Sequence, residues 1–508
     1  MNPVPTPTAW QPRLLLEAEL KKVEDRLAVT PDAVELRFDR AVLLRELGRT
    51  DAAKQAYLEL LSIAPTHFGG LNNLGTLAME TGFQTAARTA YVEAIKHHPD
   101  NPMGHINLAN LLTKIEDTTA ALKHFEIALQ LDPDHADAHQ GLARLLSEIG
   151  REDEARSHRI NGFRGRSVKI LPYRGTGRPR LLLLLASAAG GAVPIWYHLD
   201  DQRFLTSVVF VDVCDPDLRL PNHELVFNAI GDADLCQSDL ETAATLLRQT
   251  TAPVINRPQS VKPTGRAANA RRLGQLPGVV TAEMALMPRE QLAASDATSQ
   301  LASKGITFPL LLRSPGFHNG SFFARITNEA ELKETLPTIP GREILAIQFL
   351  DARSADGKIR KYRVMLIGGQ IYPLHVAISH EWKIHFFSAE MADNPENRAE
   401  DAAFLEKMPA VLGSRAMAGL EQIRDTLGLD YAGVDFSVSP EGDILLFEAN
   451  ATMVVNPADA DTKWDYRRPY VQRILDAISD LLTGHEPRRL VVKKGDTSAD
   501  ADRFGSGL

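Results

Sequence analysis

The chain has 508 residues and a formal net charge of −9 at pH 7, which argues against nucleic acid as its main partner because phosphate binding calls for a basic face. Two cysteines, Cys214 and Cys236, are too few for a disulfide framework and fit a reducing compartment. The longest apolar run, Leu181 to Ala186, is far too short to cross a bilayer, and the first residues lack the basic-then-apolar order of an export signal. A soluble, cytoplasmic protein of about two to four domains, with no membrane partner, is expected.

The first twelve residues are proline-rich and expected to be loose. Leu14 to Leu27 reads as an amphipathic helix. Beyond it, Pro31, Pro65, Pro99 and Pro133 lie 34 residues apart. The same step links Ala41, Gly75, Ala109 and Ala143, then Ala53, Ala87, Ala121 and Ala155, then Tyr57, Tyr91 and Phe125. Gly48, Gly82 and Gly150 hold a further phase, which Glu116 breaks. Small residues let two helices approach, an aromatic fills the space between units, and glycine permits the turn. This pattern resembles the tetratricopeptide repeat, an all-α solenoid, over residues 13–166. In the last unit Arg159 stands where the aromatic is expected. The concave face of such a stack suits a peptide or protein partner; the alternative uses are dimerisation, giving a homodimer, or a plain spacer.

Residues 167–179, rich in Arg, Gly and Pro, read as a basic linker. From 180 to 260 short apolar runs alternate with turn residues. Strands are expected at Leu181 to Ala186, Ser207 to Val213, Glu224 to Ile230 and Ala252 to Asn256, with a helix near Leu240 to Gln249, so this part reads as a small α/β domain. The loop Ser187 to Gly191 lacks the spacing of a dinucleotide fingerprint. Residues 261–485 continue with strands on either side of Gly316 and Gly320, a strand from Glu343 to Asp351, and another from Lys358 to the Gly368-Gly369 turn. Tyr372 to Ser379 and Trp382 to Phe387 read as further strands. A helix follows at Ala399 to Leu427, with Leu405, Met408, Val411, Met417, Leu420, Ile423 and Leu427 as its buried stripe. Tyr470 to Leu482 reads as a closing helix, and 486–508 as a disordered tail.

The most informative stretch is Tyr431 to Pro457. Two strand-type arms, Gly433 to Val438 and Ile444 to Phe447, flank the turn Ser439-Pro440-Glu441-Gly442-Asp443. Glu448 and Asn450 are two apart, so they share a side of an extended chain, and a paired first arm brings Asp435 to the same spot. Two carboxylates and an amide oxygen around one point suit Mg²⁺, which favours carboxylates together with substrate phosphates.

Val434-Asp435-Phe436 together with Glu448-Ala449-Asn450 resemble the metal-binding hairpin of the ATP-grasp ligases. The resemblance covers about residues 180–485 and implies ATP and Mg²⁺ as cofactors. It also implies that Asp435, Glu448 and Asn450 hold the metal. Two positions that are lysines in that family are here arginines: Arg266, with Lys262 as the other candidate, and Arg313. Gly316 and Gly320 would sit in a phosphate-covering loop. Gln348, Phe349 and Leu350 would line the adenine slot, and Asp351 would meet the ribose. Arg363 matches a phosphate-contacting arginine; Arg360 and Lys361 flank it and read as solvent-exposed cations. Lys383 would act at the γ-phosphate, and His375 and His385 would approach the substrate. The stretch His380 to His385 does not have the helical spacing of a zinc motif. The activity implied is ligation of a small-molecule or peptide acid to an amine through an acylphosphate. A kinase on the same fold, or a non-catalytic adaptor with a degenerate nucleotide site, are the alternatives.

Overall fold

The computed structural model describes residues 13–193, 195–315, 322–384, 386, 389–456 and 461–484. The loose start and the disordered tail expected from the sequence lie outside these residues, as do Gly316, Gly320 and His385.

Helix α1 (Arg13–Val29) precedes four helical pairs: α2 (Val34–Glu46) and α3 (Thr50–Ile63), α4 (Phe68–Glu80) and α5 (Gln84–His97), α6 (Pro102–Lys114) and α7 (Thr118–Leu131), α8 (Ala136–Glu148) and α9 (Glu152–Phe163). The residues that recur in sequence are those that pack. Ala53, Ala87, Ala121 and Ala155 are fully buried, as are Tyr57, Tyr91 and Phe125. The turn inside each pair needs a left-handed residue. Gly48, Gly82 and Gly150 supply it at φ 72°, 86° and 81°, and Glu116 is forced to 64° in the third pair.

Three sheets follow. Strands β1 (Val168–Ile170), β2 (Arg180–Ala186), β3 (Phe204–Phe210), β4 (Leu225–Asn228) and β5 (Val254–Ile255) form the first, in the order β1-β3-β2-β4-β5. Its members are parallel except β1, which runs antiparallel to β3. Strands β6 (Val279–Thr281), β11 (Ile359–Ile367), β12 (Gln370–Ser379), β13 (Tyr431–Val438) and β14 (Ile444–Asn450) make a sheet ordered β12-β11-β13-β14-β6. The remaining four, β7 (Met284–Pro288), β8 (Leu310–Arg313), β9 (Phe323–Ile326) and β10 (Glu343–Gln348), pair antiparallel in the order β7-β10-β8-β9. The helix Arg468–Thr483 closes the described chain. Among the described residues, no helix is long and apolar enough to cross a membrane.

Three expectations need correction. The linker is not a free connector: Val168 to Ile170 pair with β3, Tyr173 is buried, and Arg174 donates to the Glu46 carbonyl at 2.6 Å. The repeat region is thereby tied to the first sheet, and Phe163 meets Phe210 with ring centroids 4.7 Å apart. Among its described residues the run from Trp382 is not a strand: residues 380–383 form a bend after the edge strand β12. There Glu390 accepts from the His380 amide at 2.9 Å and from Ser379 Oγ at 3.1 Å, which turns the chain away from the ladder. The span Pro395–Leu427 is broken by non-helical Lys407 and Gly413 around Pro409, so its apolar stripe loses register and Val411 is 42% exposed.

Gly141 tests the packing of the repeats. A Cβ there would overlap the Phe125 ring. Gly141→Ala should therefore lower stability by about 1–3 kcal/mol, read as a lower urea midpoint. Were the site slack, alanine's better helix propensity, about 1 kcal/mol, would raise the midpoint instead.

Candidate functional site

Four strands carry one row of functional side chains. His375 on β12 is the cross-strand partner of Arg363 on β11, Arg363 of Asp435 on β13, and Asp435 of Glu448 on β14. The register slips just beyond this row, between Arg363 and Val364 and between Asp435 and Phe436. Such bulges re-aim side chains beside functional sites. Phe447, the extra residue on β14, turns into the same cleft.

That cleft lies between the four-stranded sheet and the sheet bearing the row, with a volume of ≈ 1050 Å³. Of the residues singled out in the sequence, Arg266, Arg313, Gln348, Phe349, Leu350, Arg363, His375, Lys383, Asp435, Glu448 and Asn450 all line it. Asp351 does not: it is exposed, and its carboxylate accepts from the Arg353 amide at 3.2 Å. Lys262 also stands apart, paired with Glu241 at 2.8 Å.

Charges of both signs meet inside. Arg363 grips Asp435 in a fork, Nε to Oδ1 at 2.5 Å and Nη2 to Oδ2 at 2.8 Å. Lys361 Nζ reaches Asp435 Oδ2 at 2.8 Å. This lysine was expected in solvent, yet it lies two residues from Arg363 and so shares its face, while Arg360 points the other way to Asp356 and Glu400. Arg266 Nη2 pairs with Glu448 Oε1 at 2.5 Å, and Asn450 Nδ2 donates to the same oxygen at 2.7 Å. Asn450 Oδ1 accepts from the Thr452 amide and hydroxyl at 3.0 and 2.9 Å.

Burial alone would raise the pKa of Asp435, but Arg363 and then Lys361 outweigh it and hold the carboxyl well below its usual range. For Glu448 burial is likewise outweighed, by Arg266 and then Arg313. Burial, then Arg266, pushes Arg313 down to about 10. Burial, then Arg363 and Arg467, keeps His375 neutral by lowering it well below its usual value.

Two ionised carboxylates on adjoining strands are donors that a hard divalent cation accepts, and the Asn450 amide stands beside them. Among the described residues no group of three or more His, Cys, Asp and Glu side chains is gathered for a metal. The hairpin therefore offers a partial shell, of the kind that Mg²⁺ completes with phosphate oxygens and water. Five cationic side chains against two carboxylates make the lining net positive in a negatively charged chain, so the cleft favours an anionic ligand.

Among known proteins, the tetratricopeptide repeat family matches residues 34–67 and again 116–158. The N-terminal region is a tetratricopeptide repeat array. Among solved structures, MamA 41-end from Desulfovibrio magneticus RS-1 is 17% identical, with 28% of this chain and 81% of that chain covered and a TM-score of 0.26. TTC0263, a thermophilic TPR protein in Thermus thermophilus, is 21% identical, with 29% and 82% covered and a TM-score of 0.27. No curated protein matches the sequence. Among the described residues the tetratricopeptide array contributes none to the cleft's lining; its last helix contacts a segment that holds one of the cleft's loops. Arg159, buried on α9, lies 3.9 Å from Asp212, whose Oδ1 accepts from the Ala188 amide at 2.8 Å. Ala188 belongs to the small-residue loop whose Gly191 lines the cleft.

Behind His375 a buried network supports the cleft wall. Arg467 lies 4.0 Å over the Phe386 ring, which packs on His375 at 4.7 Å. Asp401 faces Arg467 at 3.6 Å and accepts from the Val376 amide and the Tyr466 hydroxyl, each at 2.7 Å. Burial raises Asp401 to about 6, against the pull of Arg467. Its folded pKa exceeds its unfolded one, so its stabilising contribution is full below about pH 3.9 and is lost as pH rises through about 6. Asp401→Asn removes this dependence. Wild type should gain about 2 kcal/mol on the variant between pH 7.5 and pH 4.5, measured as the difference of their unfolding free energies. A difference that does not change with pH contradicts the assignment.

Proposed function

We propose that the chain is an ATP-dependent carboxylate–amine ligase of the ATP-grasp type, with Mg²⁺ as its metal and the repeat array recruiting a peptide or protein. One observation carries this reading: a hairpin with two ionised carboxylates and an amide lines a single cleft together with five cations, beside the Gln348–Leu350 segment. Bound Mg²⁺-ATP supplies the phosphoryl group that converts a carboxylate to an acylphosphate, from which an amine displaces phosphate.

The chain's own residues bind and neutralise. Asp435, Glu448 and Asn450 hold the metal. Arg266 and Arg313 neutralise the polyphosphate, where an arginine fork can take two oxygens at once. Arg363 and Lys383 stabilise negative charge spreading over the transferred group, and Lys361 keeps Asp435 ionised. Gln348 is fixed by the Thr307 amide at 2.8 Å, and Arg325 stacks over Phe349 at 4.5 Å, so this wall of the cleft is firm before any ligand enters. Neutral His375 can accept a hydrogen bond at the substrate end.

The Asp435–Arg363 and Glu448–Arg266 pairs favour a second reading. Carboxylates already neutralised by arginine suit a degenerate nucleotide site in an adaptor whose working part is the tetratricopeptide array. Calorimetry separates the two. With Mg²⁺ present the ligase binds ATP, and Glu448→Ala weakens binding at least tenfold, about 1.4 kcal/mol. ADP is then released only with a matched acid and amine. Absence of binding, or equal binding by the variant, favours the adaptor; steady release of AMP and pyrophosphate contradicts the acylphosphate route.

A further inference from the structure

The last two repeats each carry a histidine pair for which the cleft has no use. His105 on α6 faces His124 on α7, Nδ1 to Nδ1 at 2.9 Å, with ring centroids 5.2 Å apart. His139 on α8 faces His158 on α9 in the same way, at 2.7 Å and 5.0 Å. Both members recur at the 34-residue step of the array. At the same phases the first two repeats have Arg37 with Ala56 and Leu71 with Ala90. Building a repeat therefore does not require the pairs.

Hydrogen bonding fixes the protons. His139 Nε2 lies 2.9 Å from the Pro133 carbonyl, which can only accept. Nε2 therefore carries the proton, and in the neutral ring Nδ1 presents a lone pair. His158 Nδ1 must then supply the one proton between them. His105 makes the equivalent backbone bond to Pro99, so its pair has the same polarity. Burial lowers the pKa of His105, and burial followed by the facing histidine lowers those of His124 and His158, which keeps these rings neutral. An imidazole that donates one N–H to a backbone carbonyl has its metal-binding tautomer fixed by that bond. His124 and His158 are half-buried, so each pair is within reach of solvent.

We propose that each pair is a two-imidazole site for a borderline divalent transition metal of the Zn²⁺ or Cu²⁺ class, bound through the two Nδ1 atoms. The metal takes the place of the shared proton. His158, or His124 in the other pair, gives up its Nδ1 proton to solvent and takes one up at Nε2, so both rings stay neutral and the metal brings its full charge. No third His, Cys, Asp or Glu joins either pair among the described residues, so water fills the remaining positions. The two sites differ in their surroundings. Glu154, one turn before His158, favours a cation there, whereas Lys123 beside His124 opposes one. The His139–His158 site is therefore the tighter.

The full-length protein titrated with ZnCl₂ in a non-chelating buffer should take up about two equivalents. His158→Gln should remove the tighter and His124→Gln the weaker; both variants substitute a half-buried residue, and circular dichroism checks their folding. Glu448→Ala should leave both equivalents in place, which separates them from the cleft. A wild-type protein that takes up no Zn²⁺, or a double variant that keeps both equivalents, overturns the proposal. Should the variants misfold, Cu²⁺ added to the wild type gives a readout that does not depend on them: nitrogen hyperfine coupling from two imidazoles is expected, and oxygen-only ligation overturns the inference.

Discussion

A carboxylate only 1% exposed, in the middle of a five-stranded sheet, sets the architecture of the C-terminal half. Asp435 could not stay ionised there alone, since an unpaired buried charge costs several kcal/mol (about 3–5 by the usual effect of breaking a pair). It is kept by Arg363 from the neighbouring strand and by Lys361 two residues earlier. That arrangement requires β11 and β13 to be adjacent and in one register, which in turn places His375 and Glu448 on either side in the same row. The positions of the bulges follow the same logic, because each lies immediately after a member of the row.

The cluster also bears on the proposed chemistry. Both carboxylates of the cleft are paired with arginine, so neither needs a ligand for the fold to assemble. A metal–polyphosphate ligand offers both halves of each pair a new partner: the carboxylates a cation and the arginines phosphate oxygens. On the proposed reading the ion pairs hold the site in shape for ligand rather than block it. The tetratricopeptide array is packed against the first sheet through Phe163 and against the turn after β3 through Arg159, so on the proposed reading a recruited partner is held at a defined place relative to the cleft.

The sequence was most legible where one force dominates. The repeat step picked out the packed positions of the array, because Ala53, Tyr57 and their counterparts are fixed by close packing alone. The hairpin was legible because strand-type arms and a turn holding Pro440 and Gly442 agree, and alternation placed Glu448 beside Asn450. Lys361 was misjudged although the same alternation puts it on the face of Arg363; charge near a strand end was read as solvation. The linker was misread because three residues, Val168 to Ile170, are too few to show a period, and their strand exists only because β3 offers an open edge. Asp351 was placed by resemblance rather than by any physical signal, and it faces solvent. The break at Lys407 and Gly413 could have been suspected from Pro409, but not its effect on Val411.

The central claim is that Asp435 and Glu448 form a metal site whose strength depends on what engages their arginines. Electron paramagnetic resonance of free Mn²⁺, titrated with protein, tests this most directly. Weak Mn²⁺ binding by the protein alone, strengthened at least about tenfold by a non-hydrolysable ATP analogue beyond what the analogue itself binds, is the result the account predicts. Metal binding that is equally strong with and without the nucleotide, or absent in both cases, would contradict it.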